Sequence, residues 1–368
     1  MSDRLLLATR KGLIEVTREG SSTNGTGPWR VGRCHFEAES VTIALADPRD
    51  GALYAGLRHG HFGVKLQVSR DRGATWNELP APAYATASAG EGEGEAKAPS
   101  VDMLWCLEPG GDDAHGRLWA GTIPGGLFRS DDHGASWQLV ESLWNVPERA
   151  EWFGGGYDEP GIHSILVDPR DSDRLVVGVS CGGVWHSDDA GASWRLEGEG
   201  LRAEYMPEEM SGAKAIQDPH RLAWCRSQPD VVWCQHHNGI FRSTDGGRTW
   251  SELTTVEPSF GFAVAAHPTD PETAYFVPAV KDEHRVPKDQ RMVVTRTRDG
   301  GRTFETLDDG LPNPSWDLVF RHALDVDASG ERLAVGSTTG NLWITEDGGE
   351  SWQRISAHLP PIHQVAFV

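Results

Sequence analysis

Seven histidines stand where strands begin or turn: His59 and His61 in Arg58-His59-Gly60-His61, His163 after Pro160-Gly161-Ile162, His220 in Asp218-Pro219-His220-Arg221, the pair His236-His237, and His363 near the end of the chain. Neutral imidazole is a common ligand for zinc, iron and copper, and three imidazoles converging from rigid strands would make a site for one divalent ion. The metal set read from the sequence is His59, His61, His163, His220 and His236, with Glu159, Asp218 or Cys181 as an added ligand. No local metal signature accompanies these residues. The same histidines serve as acid–base groups, substrate contacts or structural hydrogen bonds.

A second chemical candidate is the loop Trp152-Phe153-Gly154-Gly155-Gly156-Tyr157-Asp158-Glu159-Pro160. Three glycines let backbone approach a ligand closely, Tyr157 offers a stacking ring, and Asp158 with Glu159 offers a carboxylate pair for proton transfer. Tyr157, Asp158, Glu159 and Arg221 form the candidate catalytic set. The competing reading is a glycine-rich loop that only plugs a channel entrance. Asp102 and Asp317 are the remaining carboxylates considered for a glycosidase pair.

The elements that must position these side chains are announced by a repeat. Ser/Thr, any residue, Asp, any, Gly, two more and an aromatic occurs at Ser69–Trp76, Ser130–Trp137, Ser187–Trp194, Ser243–Trp250, Thr297–Phe304 and Thr345–Trp352. Each copy reads as a tight turn: the Asp accepts turn amides, the Gly takes a positive φ, and the aromatic anchors the returning strand. These aspartates are therefore expected to be structural.

The pattern resembles the Asp box, or BNR repeat, of sialidase-like β-propellers, a motif also found in xyloglucanases and sortilin-type receptors. The chain is similar to cytosolic bacterial proteins of the glycosyl hydrolase or exo-sialidase type. The resemblance implies an all-β propeller. Sialidase chemistry would add an arginine triad, a Tyr nucleophile paired with Glu, an Asp acid/base and an Arg-Ile-Pro motif near the start. Arg-Ile-Pro is absent, and a triad would have to be drawn from Arg10, Arg58, Arg221, Arg285 and Arg321.

Six boxes mark six blades, and an unmatched alternating strand at Ile362–Val368 supplies the inner strand that the first blade lacks. The expectation is a seven-bladed β-propeller of four-stranded blades over residues 1–368, closed by pairing of the C-terminal strand with the N-terminal blade. Inner strands are expected to begin near Val101, Ile162, Arg221, Phe262 and Asp317. Strand parity puts the boxes on one face. The insertions Pro80–Ser100, Glu141–Gly161, Glu197–Pro219 and Lys281–Arg291 fall on the other, together with the histidines. The stretch Ala85–Lys97 within the first insertion is read as a mobile loop.

A formal net charge of −20 disfavours nucleic acid and anionic membranes as partners. The opening Met1-Ser2-Asp3-Arg4 precedes too short an apolar run for a leader, and five cysteines are an odd number for a disulfide framework; both suggest the cytoplasm. The expected function is a hydrolase-like enzyme for a small molecule or carbohydrate, with a divalent metal at a histidine-rich channel mouth opposite the boxes. Alternatives are a sialidase-type glycoside hydrolase, a carbohydrate-binding protein and a non-catalytic scaffold. Nothing in the sequence speaks to oligomeric state.

Overall fold

The computed structural model describes residues 1–19, 27–85, 99–254 and 256–368. Its strands form seven antiparallel four-stranded sheets. Blade one takes its innermost strand, Ile362–Phe367, from the end of the chain and adds Arg4–Thr9, Gly12–Arg18 and Trp29–His35 outward. Leu5 pairs with Phe367 and Leu7 with Val365, so the tail closes the ring as expected. Blade two is formed by Ser40–Ala46, Leu53–Arg58, Val64–Ser69 and Asn77–Leu79. Of the stretch read as a mobile loop, Ala85–Lys97, all but Ala85 lies outside the described residues.

The inner strands of blades three to seven are Met103–Pro109, Gly161–Val167, Pro219–Cys225, Gly261–Ala266 and Leu324–Val326. The last begins later than the expected Asp317. There the Asp317 carboxylate accepts hydrogen bonds from Ser315 at 2.5 Å, Ser337 at 2.6 Å and Asn341 at 2.7 Å, and this local network replaces strand pairing. Asp317 is thereby used up structurally. Packing between blades is apolar: Trp119 joins Val177 and Trp185 of the next blade, and Trp233 meets Phe276 at 6.1 Å.

The boxes share one geometry. In blade four, Ser187 Oγ donates to Asp189 Oδ1 at 2.8 Å and accepts the buried Gly191 N–H at 2.8 Å, while Ser193 donates its amide and hydroxyl to the same carboxylate. Gly191 sits at φ +83°, where a side chain would be strained. The carboxylate is at the surface, whereas Ser187 is 1% exposed. The serine therefore satisfies the buried amide and the aspartate clasps the turn from outside. Ser187→Ala should cost about 1–3 kcal/mol and Asp189→Ala less, since only the former orphans a buried donor. Urea unfolding of both variants checks this, and a larger loss for Asp189→Ala would reverse the assignment.

Candidate functional site

The inner strands carry a register irregularity at one equivalent point. Pairing skips a residue between Val41 and Ile43, Leu104 and Cys106, Ile162 and Ser164, and Pro219 and Arg221, and skips two between Gly261 and Val264. The unpaired residues are Thr42, Trp105, His163, His220 and Phe262-Ala263. The strand pairing Ala8 and Thr9 shifts likewise, leaving His363 out of register. A bulge turns a side chain away from the alternation of its strand. Here bulges from neighbouring blades aim rings at one another: Trp105 meets His163 at 5.5 Å, and His220 stacks on Phe262 at 4.6 Å and 17°.

Blade five completes a compact polar cluster. Asp218 immediately precedes its inner strand, His220 is the bulged residue, and His237 follows the second strand, Gln228–His236. Asp218 Oδ2 lies 3.3 Å from His220 Nε2 and 3.3 Å from His237 Nδ1. The other oxygen, Oδ1, accepts the Ser180 hydroxyl at 3.0 Å and the Cys181 amide at 3.1 Å. Asp218 and His220 are buried, while the His237 side chain remains 25% exposed. Among the described residues this trio alone brings three possible metal-ligand atoms within 4.8 Å of one another.

The proton positions follow from the partners. His220 Nδ1 is 2.6 Å from the Gly261 carbonyl, which can only accept, so the proton sits on Nδ1. Burial lowers the His220 pKa and favours the neutral ring, whose Nε2 lone pair then faces Asp218. Burial alone would raise the Asp218 carboxyl. His220 and His237, when a proton lies on the nitrogen facing Oδ2, and the Arg321 guanidinium outweigh it and hold the group well below the usual carboxylate range. A lone pair opposed to an ionised carboxylate calls for a proton or a cation between them.

The cluster borders a cleft of about 570 Å³ whose lining includes Tyr205, His237, Asn238, Phe260 and Lys281. The Tyr205 ring packs on His237 at 4.8 Å while its hydroxyl donates to the Ile216 carbonyl at 2.7 Å. The glycine-rich loop comes close from blade three's side. A Cβ on Gly155 would stand 2.7 Å from Cys181 Sγ and 3.6 Å from Asp218 Oδ2, so a side chain there would have to push the Cys181 thiol aside.

Arg321, just before the blade-seven strand, is the second unusual feature. Its guanidinium carbon lies 4.8 Å over the Trp105 ring and 5.3 Å over Phe262. The residue is 8% exposed, and Nε is buried with no hydrogen-bond partner. Two cation–π contacts return roughly 1–2 kcal/mol each, short of the several kcal/mol that removing an unpaired charge from water costs.

The sequence-derived candidates divide. Of the proposed metal set only His220 joins the trio, and His237 takes the place expected of its neighbour His236. His236 is fully buried beneath the site, its two ring nitrogens each 3.2 Å from a backbone amide, of Asp218 and Asn238. His59 lies 2.6 Å from the Glu39 carboxylate, and His61 is exposed in the turn Gly60–Phe62, edge-on to Phe62. His163 pairs Nδ1 with Ser164 Oγ at 2.9 Å, and its carbonyl accepts Arg221 Nη1 at 3.0 Å and His322 Nε2 at 2.8 Å. His363 is bound to the Val41 carbonyl at 2.9 Å. These five belong to no three-ligand cluster among the described residues. Burial and the adjacent Asp218 push the Cys181 thiol up, which disfavours a thiolate ligand.

Of the catalytic set, Tyr157 stands at the mouth with its ring 5.2 Å from Trp105. Asp158 and Glu159 are exposed on the loop. Arg221 is a strut on the His163 carbonyl rather than a group facing the cleft. Asp102 is paired with Arg58 at 2.6 Å. No arginine triad assembles from the five candidates, because Arg58 holds Asp102, Arg221 holds His163 and Arg285 clasps Asp282 at 2.6 Å. Sequence reading missed the rings Trp105 and Phe262, since nothing in a strand pattern marks which residue is bulged.

The BNR/Asp-box repeat model matches residues 241–252. The oligoxyloglucan-reducing end-specific xyloglucanase of Emericella nidulans is 25% identical over 329 residues, 88% of this chain and 35% of that protein. The GH74 xyloglucanase from Xanthomonas campestris has a TM-score of 0.64 at 18% identity, covering 100% of this chain and 52% of that one. YCF48 bound to a D1 peptide has a TM-score of 0.52 at 14% identity, covering 85% and 81%. The chain is an Asp-box β-propeller, and it spans 35% and 39% of the length of the first two xyloglucanases it matches.

Burial keeps several imidazoles neutral: His163 and His322 are held well below the usual range, His186 is pushed down to about 4 and His236 to about 3. Their folded pKa values lie below the unfolded ~6.5, so the unfolded chain binds more protons as pH falls. Their stability contribution is complete above that value and declines beneath it, by up to about 1.4 kcal/mol per pH unit for each ring. Calorimetry should find Tm falling from pH 7 to pH 5. A flat profile would mean that these rings are already charged in the fold.

Proposed function

We propose that the protein is a hydrolase-like enzyme for a small-molecule or carbohydrate ligand, working at the channel mouth opposite the Asp boxes with a divalent metal held by Asp218, His220 and His237. The observation that carries this reading is the meeting of His220 Nε2 and His237 Nδ1 on Asp218 Oδ2 at 3.3 Å each. The outer contacts are those that orient ligands: the Gly261 carbonyl fixes the His220 tautomer, and Ser180 and Cys181 occupy the far carboxylate oxygen. Two imidazoles and one carboxylate suit zinc or iron(II), and three protein ligands leave coordination positions open toward the cleft. A metal there supplies Lewis acidity and an activated water. Tyr205 and Phe260 pack edge-on against the His237 ring, and in this reading Asp158 or Glu159 on the glycine-rich loop would move a proton.

A second reading, a metal-independent glycoside hydrolase using Asp158 and Glu159, is favoured by the likeness to a xyloglucanase over 88% of this chain. Calorimetric titration of stripped protein with zinc and with cobalt should give one equivalent bound. Affinity should drop about 10- to 100-fold in His237→Ala and Asp218→Asn, stay unchanged in His59→Ala and His61→Ala, and weaken with acidification as protons compete for the ligand nitrogens. Failure to bind either ion stoichiometrically sinks the metal reading. Xyloglucan oligosaccharide cleavage that survives chelation and His237→Ala would instead establish the second.

A further inference from the structure

We infer that Arg321 is an anion-binding residue of the channel mouth, and that the ligand carries an oxyanion group, a carboxylate or a phosphate, which docks on this guanidinium between Trp105 and Phe262. The argument starts from what Arg321 lacks. It is 92% buried by its 8% exposure, yet it forms no hydrogen bond or ion pair with any described residue. Asp218, the acidic group that acts most strongly on it, has no oxygen within ion-pairing distance and is already engaged by Ser180, Cys181, His220 and His237. A guanidinium presents five donors in a planar fork, and rings over its faces leave the edge free for two parallel bonds to one oxyanion.

The surroundings lean the same way. Arg285 reaches the same Phe262 ring, its guanidinium carbon 5.3 Å from the centroid, so two cations meet at one aromatic face. Of the imidazoles beside it, His163 bonds Ser164 and His322 bonds the His163 carbonyl, and neither offers negative charge. Tyr157, edge-on to Trp105, brings a hydroxyl without a hydrogen-bond partner among the described residues. This inference rests on the preceding reading only for placing the reacting bond near Asp218; the anion site stands without the metal.

The test uses metal-stripped protein at low chloride, titrated with inorganic phosphate and with acetate. Saturable one-to-one binding of at least one anion is expected, weakened about tenfold or more in Arg321→Met and less in Arg321→Lys, which keeps the charge and guards against misfolding of the apolar variant. Preference for phosphate assigns a phosphate ester, preference for acetate a carboxylic acid. No saturable binding of either anion, or binding that Arg321→Met and Arg321→Lys leave untouched, overturns the inference. Zinc binding measured on the same variants separates the two readings: intact metal binding without anion binding rejects this one alone, and the reverse rejects the metal alone.

Discussion

The hydrogen bonds between Leu5–Thr9 and Ile362–Phe367 close seven sheets into a ring, and the position of every inner strand follows from that closure. An isolated blade has two open edges and one apolar face to cover. Stacking seven of them covers the faces, and the returning strand completes the one blade that the chain leaves short. The inner strands are then held at fixed distances around an axis. Side chains separated by more than a hundred residues, such as Trp105, His220 and Arg321, can meet there without any flexible linkage.

Regular strands alone would not produce this meeting. A period of two sends alternate residues into the interface between blades, and those positions are taken by Val, Leu, Ile and Trp. The bulges break that alternation at Trp105, His163, His220 and Phe262, and release these rings from blade packing into the channel. The irregularity costs a ladder bond in each strand. In exchange the axis acquires aromatic faces and imidazoles whose supporting strands are still fully paired on either side.

Electrostatics then organises what the bulges deliver. Asp218 is a buried carboxylate at the mouth, and its four contacts divide evenly: two donors on Oδ1, two imidazole nitrogens at Oδ2. Arg321 keeps its charge against two rings without an acidic partner among the described residues. A buried cation and a buried carboxylate that stop short of pairing leave between them a place where charge on a ligand is matched from both sides. The Asp boxes on the other face have no such imbalance, because each aspartate is neutralised in effect by its own turn amides and hydroxyls.

The boxes, blade count and ring closure were legible in the sequence because each rests on local chemistry: a turn needs its Gly and Asp within eight residues, and an unmatched strand at Ile362–Val368 has one place to go. Parity also put the long insertions and the histidines on the face opposite the boxes, and Asp218, His220 and the pair His236-His237 were singled out from residue type and strand position. Tertiary structure decided which of these act together. A one-residue bulge selects His220 over its neighbours, the Asp218 and Asn238 amides take His236, and the turn after it presents His237. The blade-seven strand began later than its pattern implied because Asp317 found four side-chain donors, Ser315, Ser337, Thr339 and Asn341. Arg321 looks like any other arginine in the sequence; its lack of a partner depends on where every nearby carboxylate comes to rest, and only the closed ring settles that.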